Sequence, residues 1–187
     1  QFDDSGQNSV TASTRLHYAR LTENAHWSLG PTLRRTWTTA TQDERLDVGV
    51  IASAAWRIKN GSTLFFLLSA ENRDYLNDDA RDGPIYWIQA GVARPVTNGH
   101  LAVGVRLTVN RPNLDHIRYD GQSAFAHLSH NCAGGLQGAL GLEVGRRDYA
   151  GPFPFAGVPR GDTFVQITVS AQHDAIRVGR FMPSLNC

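Results

Sequence analysis

Residues 100–110 read HLAVGVRLTVN. The odd positions are Leu101, Val103, Val105, Leu107 and Val109, and the even ones are Ala102, Gly104, Arg106, Thr108 and Asn110. Successive side chains of a β-strand point to opposite faces, so this stretch predicts a strand with one oily face and one small or polar face. The fold turns on whether that oily face meets a protein core or lipid.

The same alternation recurs along the chain. Val10, Ala12, Leu16 and Tyr18 fall opposite Thr11, Ser13, Arg15 and His17. Leu46, Val48, Val50, Ala52, Ala54, Trp56 and Ile58 fall opposite Asp47, Gly49, Ser53 and Arg57, with Ile51 out of place. Leu136, Leu140, Leu142 and Val144 oppose Gln137, Ala139, Gly141 and Glu143, and Val165, Ile167, Val169 and Ala171 oppose Gln166, Thr168, Ser170 and Gln172. LFFLLSA is apolar on both faces, and WSLGPTLRRTW is interrupted by Pro31. No helical periodicity of similar length occurs. The pattern predicts about ten strands of roughly 10–13 residues, against a mean near 5–6 in soluble proteins.

Short turns are expected at LTEN (21–24), KNGS (59–62), TNG (97–99), NCAGG (131–135) and HD (173–174). Asn-Gly favours tight hairpins because both central residues need positive φ. Longer polar links alternate with them: TTATQDE, DYLNDDARDGP, RPNLDHIRYDG and AGPFPFAGVPRG. This is the layout of an up-and-down meander whose two ends meet different surroundings.

Three architectures share the alternation. A β-sandwich has shorter strands and a long crossover, which is not seen here. A lipocalin-type barrel has eight strands with the oily face inward. An antiparallel up-and-down transmembrane β-barrel has strands of about 9–11 residues, a polar interior and aromatics near the strand ends. Trp27, Trp37, Trp56, Tyr18 and Tyr86 sit near predicted strand ends, and Gly49, Gly91, Gly104, Gly141 and Gly145 lie on the less apolar face. The transmembrane barrel is the expected fold, with residues 1–187 one domain or part of a larger barrel.

With 18 basic and 17 acidic residues the chain has no cationic excess to displace counterions from phosphate, so no nucleic-acid partner is expected. No run of about 18 apolar residues is present to form a membrane-spanning helix. The chain starts at Gln1, and compartment is not read from a targeting signal. The two cysteines, Cys132 and Cys187, lack the spacing of a zinc site. The expected topology puts them at opposite ends of the wall, about 25 Å apart or more. That is too far for a disulfide.

The C-terminal stretch GRRDYAGPFPFAGVPRGDTFVQITVSAQHDAIRVGRFMPSLNC resembles the barrel domain of the surface lipoprotein assembly modifiers of Gram-negative bacteria. The features that carry the resemblance are Arg147 and Tyr149, then Phe153-Pro154-Phe155-Ala156-Gly157, then Arg160 and Asp162, then Gly179 and Pro183. It implies a bacterial outer-membrane location, lipid around the barrel, and a client surface protein or lipoprotein that is translocated or assembled without covalent chemistry. Members usually carry a periplasmic helical-repeat domain before the barrel and a terminal strand with an aromatic end. Neither is present here, so the segment is expected to be an interior piece of a larger barrel. The resemblance names no catalytic residue, cofactor or metal. Phe153, Phe155, Arg160 and Asp162 form its motif loop.

Arg15, Arg57, Arg94, Arg106 and Glu143 are the candidates to face a lumen, the arginines either meeting a client or paired with Asp47 or Glu143. His127 and Ser129 share a strand face, as base and nucleophile do in outer-membrane lipid hydrolases, but no third group is identifiable and the pair lies beside a short turn. His127 and His130 fall on opposite faces, which disfavours a shared metal. Asp74, Asp78, Asp79 and Asp82 do not match a calcium loop and read as a solvated link. A passive porin is the main alternative function, and an outer-membrane lipid hydrolase the lesser one.

Overall fold

A computed structural model describes residues 9–38, 44–152, 157–173 and 185–186. Its strands are β1 (Ser9–Arg15), β2 (Tyr18–Leu21), β3 (Ala25–Thr38), β4 (Glu44–Arg57), β5 (Thr63–Tyr75), β6 (Gly83–Val96), β7 (Gly99–Asn110), β8 (Tyr119–Asn131), β9 (Leu136–Tyr149), β10 (Gly161–His173) and β11 (Leu185–Asn186). They form one sheet in the order β1-β3-β4-β5-β6-β7-β8-β9-β10-β11, with β2 also on β3. All pairings are antiparallel, and from β3 to β10 each strand pairs with the next in sequence. Among the described residues the two ends of this order do not pair with each other, so the meander is an open, all-β sheet.

The stretch 100–110 lies in β7, where Leu101, Val103, Val105 and Leu107 are 38%, 47%, 56% and 54% exposed. Among the described residues no second layer covers them. In register they continue across the sheet as aliphatic rows. Leu101 aligns with Leu128, Leu140 and Val169, Val103 with Ala126, Leu142 and Ile167, and Val105 with Ala124, Val144 and Val165. Phe66, Ala90, Leu68, Ile88, Leu29 and Val50 extend the same face over β3–β6. The rows give way to charge at Asp74, Asp120, Arg146 and Asp148, toward the long links. Trp27, Trp37, Trp56, Tyr18 and Tyr86 are all exposed on this face near strand ends. Trp56 meets Phe66 edge-on at 5.8 Å, and Tyr18 lies 5.5 Å from Trp27.

The other face is the reverse. Its buried side chains include Asp47, Ser69, Glu71, Ser28 and Thr32, and only Ile51 and Ile85 are buried hydrophobics among the described residues. Ile51, out of pattern in the sequence, packs inward opposite Gly30 and Ser69. LFFLLSA is apolar on both sides because Phe65 also points inward, over Gly91, its register partner. Phe125 over Gly104 and Phe164 over Gly145 repeat the arrangement: a ring fills the space a missing side chain leaves on the neighbouring strand. Side chains from β5 through β10 line one concavity on this face, so the sheet curls around it.

Asn60 and Gly61 have φ of 64° and 70°, the tight-turn geometry expected of Asn-Gly. At the second Asn-Gly only Asn98 is in the turn, with φ 57°. Gly99 already belongs to β7, and a Cβ there would lie 1.9 Å from the Ser129 carbonyl oxygen, so close backbone approach explains that glycine.

Pro31 breaks the edge, not the strand. Leu16 donates its N–H to the Pro31 carbonyl at 3.3 Å, and proline has no N–H to return. The edge ladder therefore stops after Arg15↔Thr32 and resumes at Tyr18↔Leu29, while the β3–β4 ladder continues through Pro31↔Val50. The Leu16 carbonyl leans over Gly30, where a Cβ would lie 1.7 Å from its oxygen. Gly30→Ala is expected to displace β1–β2 and cost about 1–3 kcal/mol. Denaturant titration with proteolysis at Arg15 and Arg20 checks this, and an unchanged midpoint and cleavage pattern would refute it.

The long links join one another. Asn113 and Leu114 donate backbone N–H groups to the carbonyls of Asp82 (2.8 Å) and Ala80 (2.9 Å), and Ala150 donates to Arg118 (2.9 Å). The opposite rim is made of the short turns 22–24, 58–62, 97–98 and 132–135.

Candidate functional site: the polar inner face

Alternation places arginines and carboxylates of neighbouring strands side by side on the inner face. Asp47 lies in register between Arg34 and Arg73 and is 1% exposed. Arg45 Nε approaches its Oδ1 at 2.9 Å and Arg34 Nη1 its Oδ2 at 3.6 Å. Arg34 Nη2 also lies 3.6 Å from Glu71 Oε1, which accepts the Ser69 hydroxyl at 2.9 Å. Buried charge persists only when an opposite charge compensates it; here Asp47 is compensated by ion pairing alone, since neither of its oxygens accepts a hydrogen bond among the described residues.

A second cluster crosses β6 to β9. Arg106 donates to both Glu143 oxygens at 2.9 and 3.2 Å and to Gln89 Oε1 at 2.8 and 3.1 Å. Ser123 donates to Glu143 at 2.6 Å. The Arg106 guanidinium also lies 5.6 Å from the Trp87 ring centre, within the range of a cation–π contact.

Toward the long links stands a belt of arginine on tyrosine. Arg81 lies over Tyr75 and Arg160 over Tyr149, both at 4.1 Å, and Arg147 lies 5.2 Å from Tyr119 and 4.6 Å from Phe164. Tyr119 and Tyr149 are register partners with rings 5.5 Å apart. Tyr149 donates its N–H to the Arg160 carbonyl at 3.0 Å, and Arg160 pairs with Asp162 at 2.5 Å. That hydrogen bond with Asp162 holds the Arg160 guanidinium above its ordinary pKa. Tyr75, Arg81, Tyr119, Tyr149 and Arg160 border a concavity of about 420 Å³ at the mouth of the inner face.

The sequence candidates divide as follows. Arg106 and Glu143 form one ion pair on the inner face. Arg15 and Arg57 share inner-face rows with Thr32 and Thr63, and have no ion pair among the described residues. Arg94 is on the opposite face, aligned with Leu101, because β6 alternates from Ile85 inward and so places its even-numbered residues outward. Asp47 pairs with Arg34 and Arg45, not with the arginines expected for it. In the motif, Arg160 and Asp162 bind each other, while Phe153, Phe155 and Cys187 lie outside the described residues. Cys132 is a free, exposed thiol in its short turn. Ser129 donates to the His100 carbonyl at 3.4 Å, and no hydrogen bond joins it to His127. In the acidic link, Asp82 accepts the Tyr75 N–H at 2.6 Å and Asp78 lies 4.0 Å from Arg81. Among the described residues no His, Cys, Asp and Glu cluster could hold a metal.

Sequence reading missed Arg34, Arg45, Arg73 and Glu71. All stand at alternate positions opposite aliphatic residues of β3–β5, which was the available signal. Tyr75 and Tyr119 end or begin strands, where alternation does not distinguish lumen from rim.

A polar, ion-paired concave face behind an uncovered apolar face defines the class: an antiparallel meander with its hydrophobicity turned outward. The chain belongs to the surface lipoprotein assembly modifier family, whose sequence model matches residues 2–187. The match extends the resemblance of the C-terminal stretch to essentially the whole chain, and membership carries a role in surface lipoprotein assembly. No curated protein and no solved structure matches it.

Proposed function

We propose that this sheet is the wall of a β-barrel in the outer membrane of a Gram-negative bacterium, and that it acts without covalent chemistry to carry surface lipoproteins across that membrane. The observation that carries the reading is the inversion of faces. Leu101 to Leu107 are uncovered while Asp47 and Ser69 are sealed inside. A soluble chain exposing such rows would aggregate, whereas hydrocarbon solvates them favourably. The inner face then encloses water and the client, and its charged side chains keep that passage polar.

The test combines cells and bilayers. Cells lacking the full-length protein are expected to hold their lipoprotein client protected from external protease, and restoring the protein returns it to the surface. In planar bilayers the purified protein is expected to be silent or plugged. Unaffected client display together with a stable, simple ion conductance would overturn the proposal in favour of a porin. Release of fatty acid from phospholipid, lost in Ser129→Ala, would overturn it in favour of a hydrolase.

A further inference from the structure

We propose a carboxylate-binding site on the inner face that takes an acidic side chain of an extended polypeptide. This rests on the passage reading above and names the chemistry the passage recognises. Asp47 and Glu71 are engaged by Arg34 and Arg45, Glu143 by Arg106, and Asp162 by Arg160. Arg73 and Arg147 are left without a carboxylate within ion-pair distance among the described residues. Both border the same concavity of about 280 Å³, although they stand on β5 and β9, four strands apart in the sheet order.

Each of the two is prepared for a planar anion. Arg73 Nε is buried and has no hydrogen-bond acceptor among the described residues, an arrangement that carries a desolvation cost until an acceptor arrives. The Arg147 guanidinium lies between the Tyr119 and Phe164 rings, 5.2 and 4.6 Å from their centres, and its planar fork of N–H donors suits an oxygen pair. Gly121 keeps the floor open: the nearest atoms to a Cβ there would be Tyr119 and Thr108 side-chain carbons, at 3.4 and 3.6 Å. Trp87 and the two flanking rings stand on its walls among polar side chains, Glu143, Gln122 and Gln166 included. Two guanidinium groups beside aromatic rings suit a carboxylate on a hydrocarbon stem, and that is the side chain of glutamate.

The experiment uses the purified full-length protein in detergent and two short fluorescein-labelled peptides that differ only in carrying Glu or Gln. Anisotropy at about 0.1 M salt, where a site of this kind is only partly screened, is expected to show the Glu peptide bound about tenfold more tightly. Arg147→Gln and Arg73→Gln are each expected to remove most of that preference. Arg147→Lys retains charge but not the planar fork, and is expected to keep only part. Arg94→Gln, on the other face, leaves the preference unchanged, and unaltered tryptophan emission certifies that each variant is folded. Equal affinity for the two peptides in the unmodified protein would overturn the site, as would a preference that survives both glutamine variants. Client display in cells is read separately, so a failed site with intact display leaves the proposed function standing, and lost display function with intact peptide preference does the reverse.

Discussion

Val105→Arg is expected to destabilise the protein in lipid bilayers by about 2–4 kcal/mol, the cost of an arginine near the midplane of the lipid-facing wall proposed above. Val105 is 56% exposed and sits in the middle aliphatic row, with Ala90 and Ala124 as its register partners. An arginine there cannot reach the charged boundary at Asp120 and Arg146 without distorting the strand. Thr168→Arg supplies the contrast: Thr168 is on the inner face opposite Gly141, where the same charge meets water and is expected to cost under about 1 kcal/mol. Urea unfolding in vesicles measures both. Equal costs on the two faces would sink the lipid-facing reading, since a sheet wet on both sides would not discriminate.

Asp47→Asn should cost about 3 kcal/mol or more. The substitution keeps the shape of the most buried carboxylate and removes its charge, which leaves Arg34 and Arg45 around a neutral amide with Arg73 beside them in register. Breaking a buried pair by removing one member is strongly destabilising because the partner charge stays desolvated. Arg34 is about one-third exposed, which sets the estimate at the lower end of the usual range. Exchanging Arg34 and Asp47, as Arg34→Asp with Asp47→Arg, restores opposite charge but crowds Arg45 and Arg73. It is therefore expected to recover only part of the loss. A single variant with an unchanged unfolding midpoint would show that the lattice does not hold the wall together.

The strands were legible because alternation is a local property: each residue's face follows from its neighbour's, so β7 and β4 could be assigned their oily sides without knowing what they pack against. Turn chemistry located the short connections, though only 60–61 uses both residues of Asn-Gly as anticipated. Gly99 serves contact with β8, a non-local demand that no dipeptide rule contains. Pro31 looked like a strand breaker and is tolerated because its missing N–H faces the interrupted edge. Arg94 went wrong for a related reason. Near the end of β6 the sequence RPVTNG offers no clear alternation to fix the face, and only the pairing with Leu101 decides it. Ion-pair partners were the least legible. Which carboxylate meets which guanidinium depends on inter-strand register, so Arg106–Glu143, thirty-seven residues apart, was one option among several, and Arg34–Asp47 was not among them.

The joined links on one rim have a consequence for how the protein can vary. Their ties run amide to carbonyl, from Asn113 and Leu114 to Asp82 and Ala80 and from Ala150 to Arg118. Main-chain bonds are indifferent to which side chain stands beside them. Apart from Asn113, whose side-chain amide also donates to the Asp79 carbonyl, and Gly83 and Gly151, where a Cβ would meet the backbone of the neighbouring link, residues along that hem can drift in identity while the outline of the rim is kept, whereas adding or removing a single residue in one link would shift the ties to its neighbour. Point changes should therefore accumulate there more readily than changes of length.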